Sequence, residues 1–439
     1  MYYGRNKLIP SKPFGLISGV MVRKWIAKQF HEHEYYSEKS ATLYIHWPFC
    51  AKLCPYCDFN KYVRDEIDHD LMEECLIREF QSLVRMYDVK KINSVYFGGG
   101  TPSLARPSTI YSILNAVSRE CVIKNTAEIT LEVNPTATEQ KLLRDFKHAG
   151  INRVSIGVQA LNNKDLKLLG REHSVGEAMS CLRHASHLFG SHVSIDLMFG
   201  RPGQTPTEWQ KELQQVTDMK LNHVSLYELT MKKLTPMGKS FQAGKICLPS
   251  DEDMVRMYQD TKENLEAVGL HRYEISNFAK KGYESQHNLS YWCGKDYIGI
   301  GPGAHSRLST FADNKYKHHA LVQLPVPEHW INQIEKKGHG IRRCHVLTQQ
   351  ERIDEVMMLS LRMCTGIQSS AFQELVGWSY HLLKEGEFIQ QSIRNDLLAI
   401  DTRGLRITEK GMIVVDAVIT ELCIAIQKTN RDKYASKVA

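Results

Sequence analysis

The sequence predicts an α/β fold: a partial parallel (β/α)6 barrel followed by a small C-terminal helical, winged-helix-like domain. Three observations carry that expectation. Six short β-branched or aromatic runs occur in order, segments with helical periodicity lie between them, and polar or glycine-rich residues gather where the runs end. At 439 residues the chain exceeds one ordinary core, so more than one domain is expected. With 42% hydrophobic and 24% charged residues it has a globular composition, and no apolar run is long enough to span a bilayer. The net charge of +7 is spread thinly without blocks of like charge, so nucleic acid is not an expected partner.

The strand-like runs are Thr42–Trp47, Ser94–Phe97, Glu128–Val133, Arg153–Val158, Val193–Met198 and Val224–Leu229, each bounded by Gly, Pro or Asn. Their spacing leaves room for the helical crossover that parallel neighbours need. Thr138 reads as a helix N-cap, with Leu142, Leu143 and Phe146 on one face and Gly150 as the stop. Thr207 opens a second helix with Trp209, Leu213 and Val216 on one stripe. Residues 230–342 read as irregular, with a glycine-rich stretch at Gly299–Gly303. A new rhythm starts near Thr348. Ile353, Val356, Met357, Ser360 and Met363 mark a helix, Leu397–Ile400 and Leu405–Thr408 a hairpin, and Val414–Ile426 a last helix.

Four segments follow: 1–40, a basic N-terminal segment; 41–230, the barrel; 231–342, an extension; and 343–430, the winged-helix-like domain. Met1 to Phe30 contains Arg5, Lys7, Lys12, Arg23, Lys24 and Lys28 and no acidic residue, the bias of a mitochondrial transit peptide.

In parallel barrels the chemistry sits at the C-terminal strand ends. Here those ends carry Cys50–Cys57, Gly98-Gly99-Gly100-Thr101-Pro102, Glu132-Val133-Asn134-Pro135, Gln159 and Asp196, which points to one site. Of eleven cysteines, eight stand alone and read as reduced fillers, whereas Cys50, Cys54 and Cys57 crowd one loop. Thiolates at this spacing suit a soft metal centre. His46 could complete a Cys3His zinc set, which structural zinc closes with four ligands. Alternatively, three thiolates hold a [4Fe–4S] cluster and leave one iron open.

Cys50-x3-Cys54-x2-Cys57 followed by Gly98–Thr101 resembles the radical S-adenosylmethionine (SAM) superfamily. Within it the chain is similar, from about Thr42 onward, to the coproporphyrinogen-oxidase-like family. The matching blocks are Tyr44–Cys50, Gly98–Ser103, Leu131–Pro135, Gly157–Gln159, Gly170–His173 and Asp196–Met198. The resemblance implies a [4Fe–4S] cluster on Cys50, Cys54 and Cys57. It also implies SAM against Tyr44, Gly99, Gly100, Thr101, Glu132, Gln159, Arg171 and Asp196, the glycines letting the backbone approach SAM closely. The oxidases carry a further cysteine two residues after the third, where this chain has Phe59. That departure is typical of the haem-chaperone branch, as is His287-Asn288-Leu289-Ser290-Tyr291-Trp292, which fits its HNxxYW motif. On this likeness His287 offers an imidazole to haem iron, and Tyr291 and Trp292 offer flat apolar surface. The implied function is haem binding and delivery to acceptor haem proteins such as those of the respiratory chain. A ferredoxin-type electron donor is the expected partner of the cluster. The alternative is an oxygen-independent coproporphyrinogen III oxidase.

Overall fold

The computed structural model describes residues 39–312 and 315–438. The basic segment expected to be a transit peptide lies, up to residue 38, outside the described residues. Six parallel strands form the centre of one sheet: β1 (Ser40–Trp47), β2 (Lys91–Gly99), β3 (Val122–Val133), β4 (Arg153–Gln159), β5 (Val193–Phe199) and β6 (His223–Glu228). Each of the six runs read from sequence falls on one of them, the last overrunning β6 by Leu229. Helices return the chain between strands, as parallel pairing requires.

Residues 230–342 correct the expectation of irregularity, because with the four residues after them they extend the sheet at both sides, and the expected boundary after 342 falls inside the last of these strands. At the edge the short strand β7 (His271–Arg272) pairs antiparallel with β8 (Asn277–Ala279), which in turn pairs antiparallel with β6. On the other side β9 (Tyr297–Ile300) lies parallel to β1, and β10 (His305–Ala312), β11 (Lys315–Gln323) and β12 (Ile341–Val346) follow as an antiparallel meander. The resulting order is β12-β11-β10-β9-β1-β2-β3-β4-β5-β6-β8-β7, an open, incomplete barrel. These added strands are short or charged, and periodicity is faint in such runs.

Two helix starts also differ from expectation. The true N-caps are Thr136, before Ala137–His148, and Thr205, before Pro206–Asp218. Each threonine accepts from the backbone of a glutamate three residues on, Glu139 and Glu208, so the Thr-x-x-Glu spacing marked the starts. Gly150 does end its helix, at φ +112°.

Alternation along the strands decides where the site can be. Leu43 and Ile45, Val95 and Phe97, Ile129 and Leu131, Val154 and Ile156, and Val224 and Leu226 face the helical layer and its apolar core. The opposite face carries Tyr44, Ser94, Tyr96, Glu128, Glu132, Arg153, Ser155, Asp196, His223 and Tyr227. A parallel strand buried on both faces is ordinarily apolar on both. The barrel interior is therefore polar by selection of every second residue, and that needs a ligand or an internal network.

The C-terminal region has its own core, built around Met357, Phe372, Trp378, Leu405 and Leu422, and a small sheet of β13 (Ile367–Gln368), β14 (Leu398–Asp401) and β15 (Gly404–Ile407). Among the described residues no helix is long and apolar enough to cross a membrane.

Candidate functional site

A cavity of 610 Å³ opens at the C-terminal strand ends, within the size range of small-molecule sites. Ten of the twelve expected site residues line it: Cys50, Cys54, Cys57, Gly99, Gly100, Thr101, Glu132, Gln159, Arg171 and Asp196. Tyr44 and His287 do not.

The cysteine loop leaves β1 and is anchored on both flanks. Cys50 N–H donates to Tyr62 O (2.9 Å) and Tyr62 N–H to Pro48 O (2.8 Å), closing its base. Asn60 donates to Pro302 O (2.8 Å) and Pro325 O (2.9 Å), which gives the Gly299–Gly303 stretch a structural purpose. The three thiols are free and half-buried. Burial pushes the Cys50 and Cys57 thiols up, opposed by the Thr101 hydroxyl at Cys50 and by Phe59 backbone and Lys61 at Cys57. Thr101 Oγ1 donates to Cys50 Sγ (3.4 Å) and Arg171 Nη1 approaches Cys54 Sγ (3.5 Å).

His46 does not face these thiols. Its Nε2 lies 2.8 Å from Asn60 O, on the backbone of the loop, and its Nδ1 3.2 Å from the Tyr44 hydroxyl, so both ring nitrogens are engaged by groups other than the thiols. Among the described residues no three His, Cys, Asp or Glu side chains converge on a single-ion site. The Cys3His zinc arrangement is not formed.

The glycines at the end of β2 have a packing task in addition to the one expected from sequence. Gly99 adopts φ +111°, and a Cβ there would sit 2.7 Å from the His46 ring. At Gly100 a Cβ would meet Phe49 O at 2.8 Å. Gly100 N–H donates to Trp47 O (2.7 Å) and Thr101 N–H to Phe49 O (2.9 Å). Their first task is thus to let the β2 loop lie flat on the segment that launches the cysteines.

Deeper in the cavity two carboxyls stand on adjacent parts of the wall. Glu132 Oε1 accepts from the Tyr96 hydroxyl (2.8 Å), and burial pushes its pKa up to about 7. Asp196 accepts from Ser155 Oγ (3.0 Å) and is pushed by burial up to about 6. Arg171 donates to Asn134 Oδ1 (2.5 Å) and Gly157 O (3.0 Å), while its Nε is buried without a partner. Gln159 ends β4 at φ +71°, beside a register shift against β5. Asn134, Ser155, Tyr227 and Lys61 also line the cavity and were not singled out from sequence. Asn134 stood within the Leu131–Pro135 block, and Ser155 and Tyr227 hold inward alternation positions that could have marked them.

His287 occupies the other end of the barrel interior. The helix Gln286–Trp292 is fixed there by Glu128, which accepts from Ser285 Oγ (3.1 Å), Gln286 N (3.1 Å) and His287 N (3.2 Å) and pairs with Arg153 (3.3 Å). His287 Nδ1 lies 2.9 Å from Ser94 Oγ and its Nε2 2.9 Å from the Tyr291 hydroxyl. Its ring stacks on Tyr96 (5.0 Å, 25°), the residue that donates to Glu132. Burial pushes its pKa down to about 3, so the imidazole is neutral. Tyr44 also stacks on Tyr96 (6.2 Å) and does not line the cavity.

The radical SAM superfamily profile matches residues 44–216 and the HemN C-terminal domain profile residues 347–414. A zebrafish (Danio rerio) protein named radical S-adenosyl methionine domain-containing protein 1, mitochondrial, is 40% identical over 390 residues, 88% of each chain. The Bacillus subtilis protein named heme chaperone HemW is 33% identical over 341 residues, 77% of this chain and 87% of its own. Among solved structures, Escherichia coli coproporphyrinogen III oxidase, HemN, superposes with a TM-score of 0.74 at 22% identity over 93% of both chains, a likeness of fold. With this sequence likeness along nearly its whole length, the chain belongs to the radical SAM superfamily, in the family of radical S-adenosyl methionine domain-containing protein 1 and HemW.

Proposed function

We propose that the protein is a mitochondrial haem chaperone, which binds haem and passes it to acceptor haem proteins, respiratory-chain proteins among them. Membership in the radical SAM superfamily implies a [4Fe–4S] cluster and SAM, and the residues present fit both. Cys50, Cys54 and Cys57 would hold the cluster, and Gly99, Gly100, Thr101, Glu132, Gln159, Arg171 and Asp196 would line SAM, with Tyr44 stacked on Tyr96. The unpartnered Arg171 Nε and two carboxyls raised by burial suit a ligand that carries both a carboxylate and cationic groups. When bound, the cluster and SAM supply one-electron chemistry at an open iron, and a ferredoxin-type protein is the electron donor this chemistry calls for. Thr101 and Arg171 direct donors at cysteine sulfurs, and Tyr96 holds the Glu132 carboxyl toward the cavity. His287, kept neutral, is the proposed haem ligand.

The single observation that carries the chaperone over the oxidase is Phe59. Where the oxidases have their extra cysteine, this chain places a phenyl ring, 63% exposed, at the cavity mouth. Titration of anaerobic, cluster-loaded protein with haem tests the proposal. A saturable Soret change in the wild type, lost in His287→Ala, is expected, and its absence in the wild type rejects haem binding. The oxidase reading draws on the complete cavity wall. On the proposal advanced here, incubation with coproporphyrinogen, reductant and SAM yields no protoporphyrinogen or carbon dioxide.

A further inference from the structure

The haem-ligand role proposed for His287 meets an obstacle that the sequence motif conceals. Both ring nitrogens are already engaged, Nδ1 by Ser94 Oγ and Nε2 by the Tyr291 hydroxyl, each at 2.9 Å. Tyr291 lies one helical turn after His287 on the same helix, so its reach to Nε2 is local and cheap to form. A phenol is a stronger proton donor than an aliphatic hydroxyl. In the arrangement this favours, the phenol donates to the Nε2 lone pair and Ser94 accepts from Nδ1–H. That lone pair is the one an iron would use.

We propose that Tyr291 is an internal competitor for the haem iron: its hydroxyl caps His287 Nε2 in the closed protein, and ligation requires the phenol to leave. The inference rests on the reading of His287 as the haem ligand. It assigns opposite roles to the two partners of the ring. Ser94 is a positioning residue, since a partner on the distal nitrogen fixes the tautomer and orientation of a ligating histidine. Tyr291 is the cap.

The helix is held differently at its two ends. Its N-terminus is clamped by Glu128 and Arg153, beneath His287. At its C-terminus Tyr291, Trp292 and Cys293 are only half-buried. That end is tied to the C-terminal region by Arg352 Nη2 donating to Gly294 O (3.0 Å).

The test is a haem titration of the full chain, anaerobic and cluster-loaded, comparing wild type with Tyr291→Phe, Ser94→Ala and His287→Ala. Phe at 291 preserves the ring that packs edge-on against Tyr297 (4.5 Å). Removing one competing hydrogen bond should tighten haem binding by about fivefold in Tyr291→Phe, with faster association. Ser94→Ala should weaken it by about tenfold. General loosening of the helix would move both variants the same way, so opposite shifts are the signature. Equal or weaker binding by Tyr291→Phe, with His287→Ala still defective, overturns the cap. Wild-type affinity in His287→Ala removes His287 from the haem site altogether and takes this inference with it.

Discussion

The two ends of the barrel interior are cut from the same strands, often from the same residue pattern, yet they are finished differently. On β3, Glu128 and Glu132 are four residues apart and face the same interior. Glu128 is saturated: it accepts from Arg153, Ser285 and the first turn of the Gln286–Trp292 helix. Glu132 is held by the Tyr96 hydroxyl and the Gly99 backbone N–H, has no cation beside it among the described residues and looks into a 610 Å³ cavity, with a pKa pushed up to about 7. A carboxylate closed by its own protein stabilises a fold, whereas one left without a cation in a pocket is ready for a ligand. Tyr96 touches both ends, donating to Glu132 and stacking on His287.

The largest expected effect breaks the contrast at the rim. Serine at Cys50, Cys54 or Cys57 should abolish the brown absorbance and nearly all bound iron and sulfide after anaerobic reconstitution. Far-UV circular dichroism should hardly change, because these half-buried thiols lie outside the apolar core. Retention of a full iron complement by any of the three would show that the loop is not the cluster site. At the opposite end the expectation inverts. Glu128→Ala leaves Arg153, 5% exposed, without its carboxylate and uncaps the helix, at a cost of about 3–5 kcal/mol in urea unfolding. A loss below about 1 kcal/mol would mean the floor is not the structural end.

Much of the rim was legible in the sequence because its signals are local. A crowded cysteine loop, a glycine run and polar residues at strand ends can each be read from neighbours in the chain. What the glycines do was not legible, since the ring of His46 and the Phe49 carbonyl that exclude a Cβ come from β1 and the segment just after it, some fifty residues earlier in the chain. The floor was hidden for the same reason. Ser94, Glu128, Arg153 and His287 are brought together only by the closing of the sheet, and the HNxxYW pattern gives no hint that Tyr291 occupies the histidine. The extra strands β9–β12 escaped because β1 pairs with β9 across some 250 residues, in a register that no local periodicity encodes.

A medium effect sharpens the contrast through pH. Glu132 and Asp196 have folded pKa values raised above those of an unfolded chain, to about 7 and about 6. The folded state therefore keeps their protons where the unfolded chain releases them. Their contribution is fully present below about pH 4 and is lost as pH rises through about 6 and then about 7. For the ligand-free protein, unfolding free energy should fall by about 4 kcal/mol between pH 5 and pH 8 on this account. Glu132→Gln should flatten most of that slope and stabilise the protein at the alkaline end. An unchanged slope would mean that water or protein groups already neutralise the rim.

The smallest effect is expected at Phe59, and its smallness is informative. A phenyl ring 63% exposed contributes little to folding, so Phe59→Ala should change stability by less than about 0.5 kcal/mol. Cluster content should also stay the same, because three cysteines on the anchored loop suffice and Phe59 comes after the last of them. Phe59→Cys places a thiol where the oxidases have one, at a mouth already lined by Lys61 and Asp58. If that variant still yields no protoporphyrinogen while retaining its iron, the missing cysteine alone does not separate chaperone from oxidase. The difference must then lie deeper, in the cavity wall or in the closed histidine beneath it. Turnover by Phe59→Cys would instead place the whole distinction at the rim, and leave the floor as scaffold.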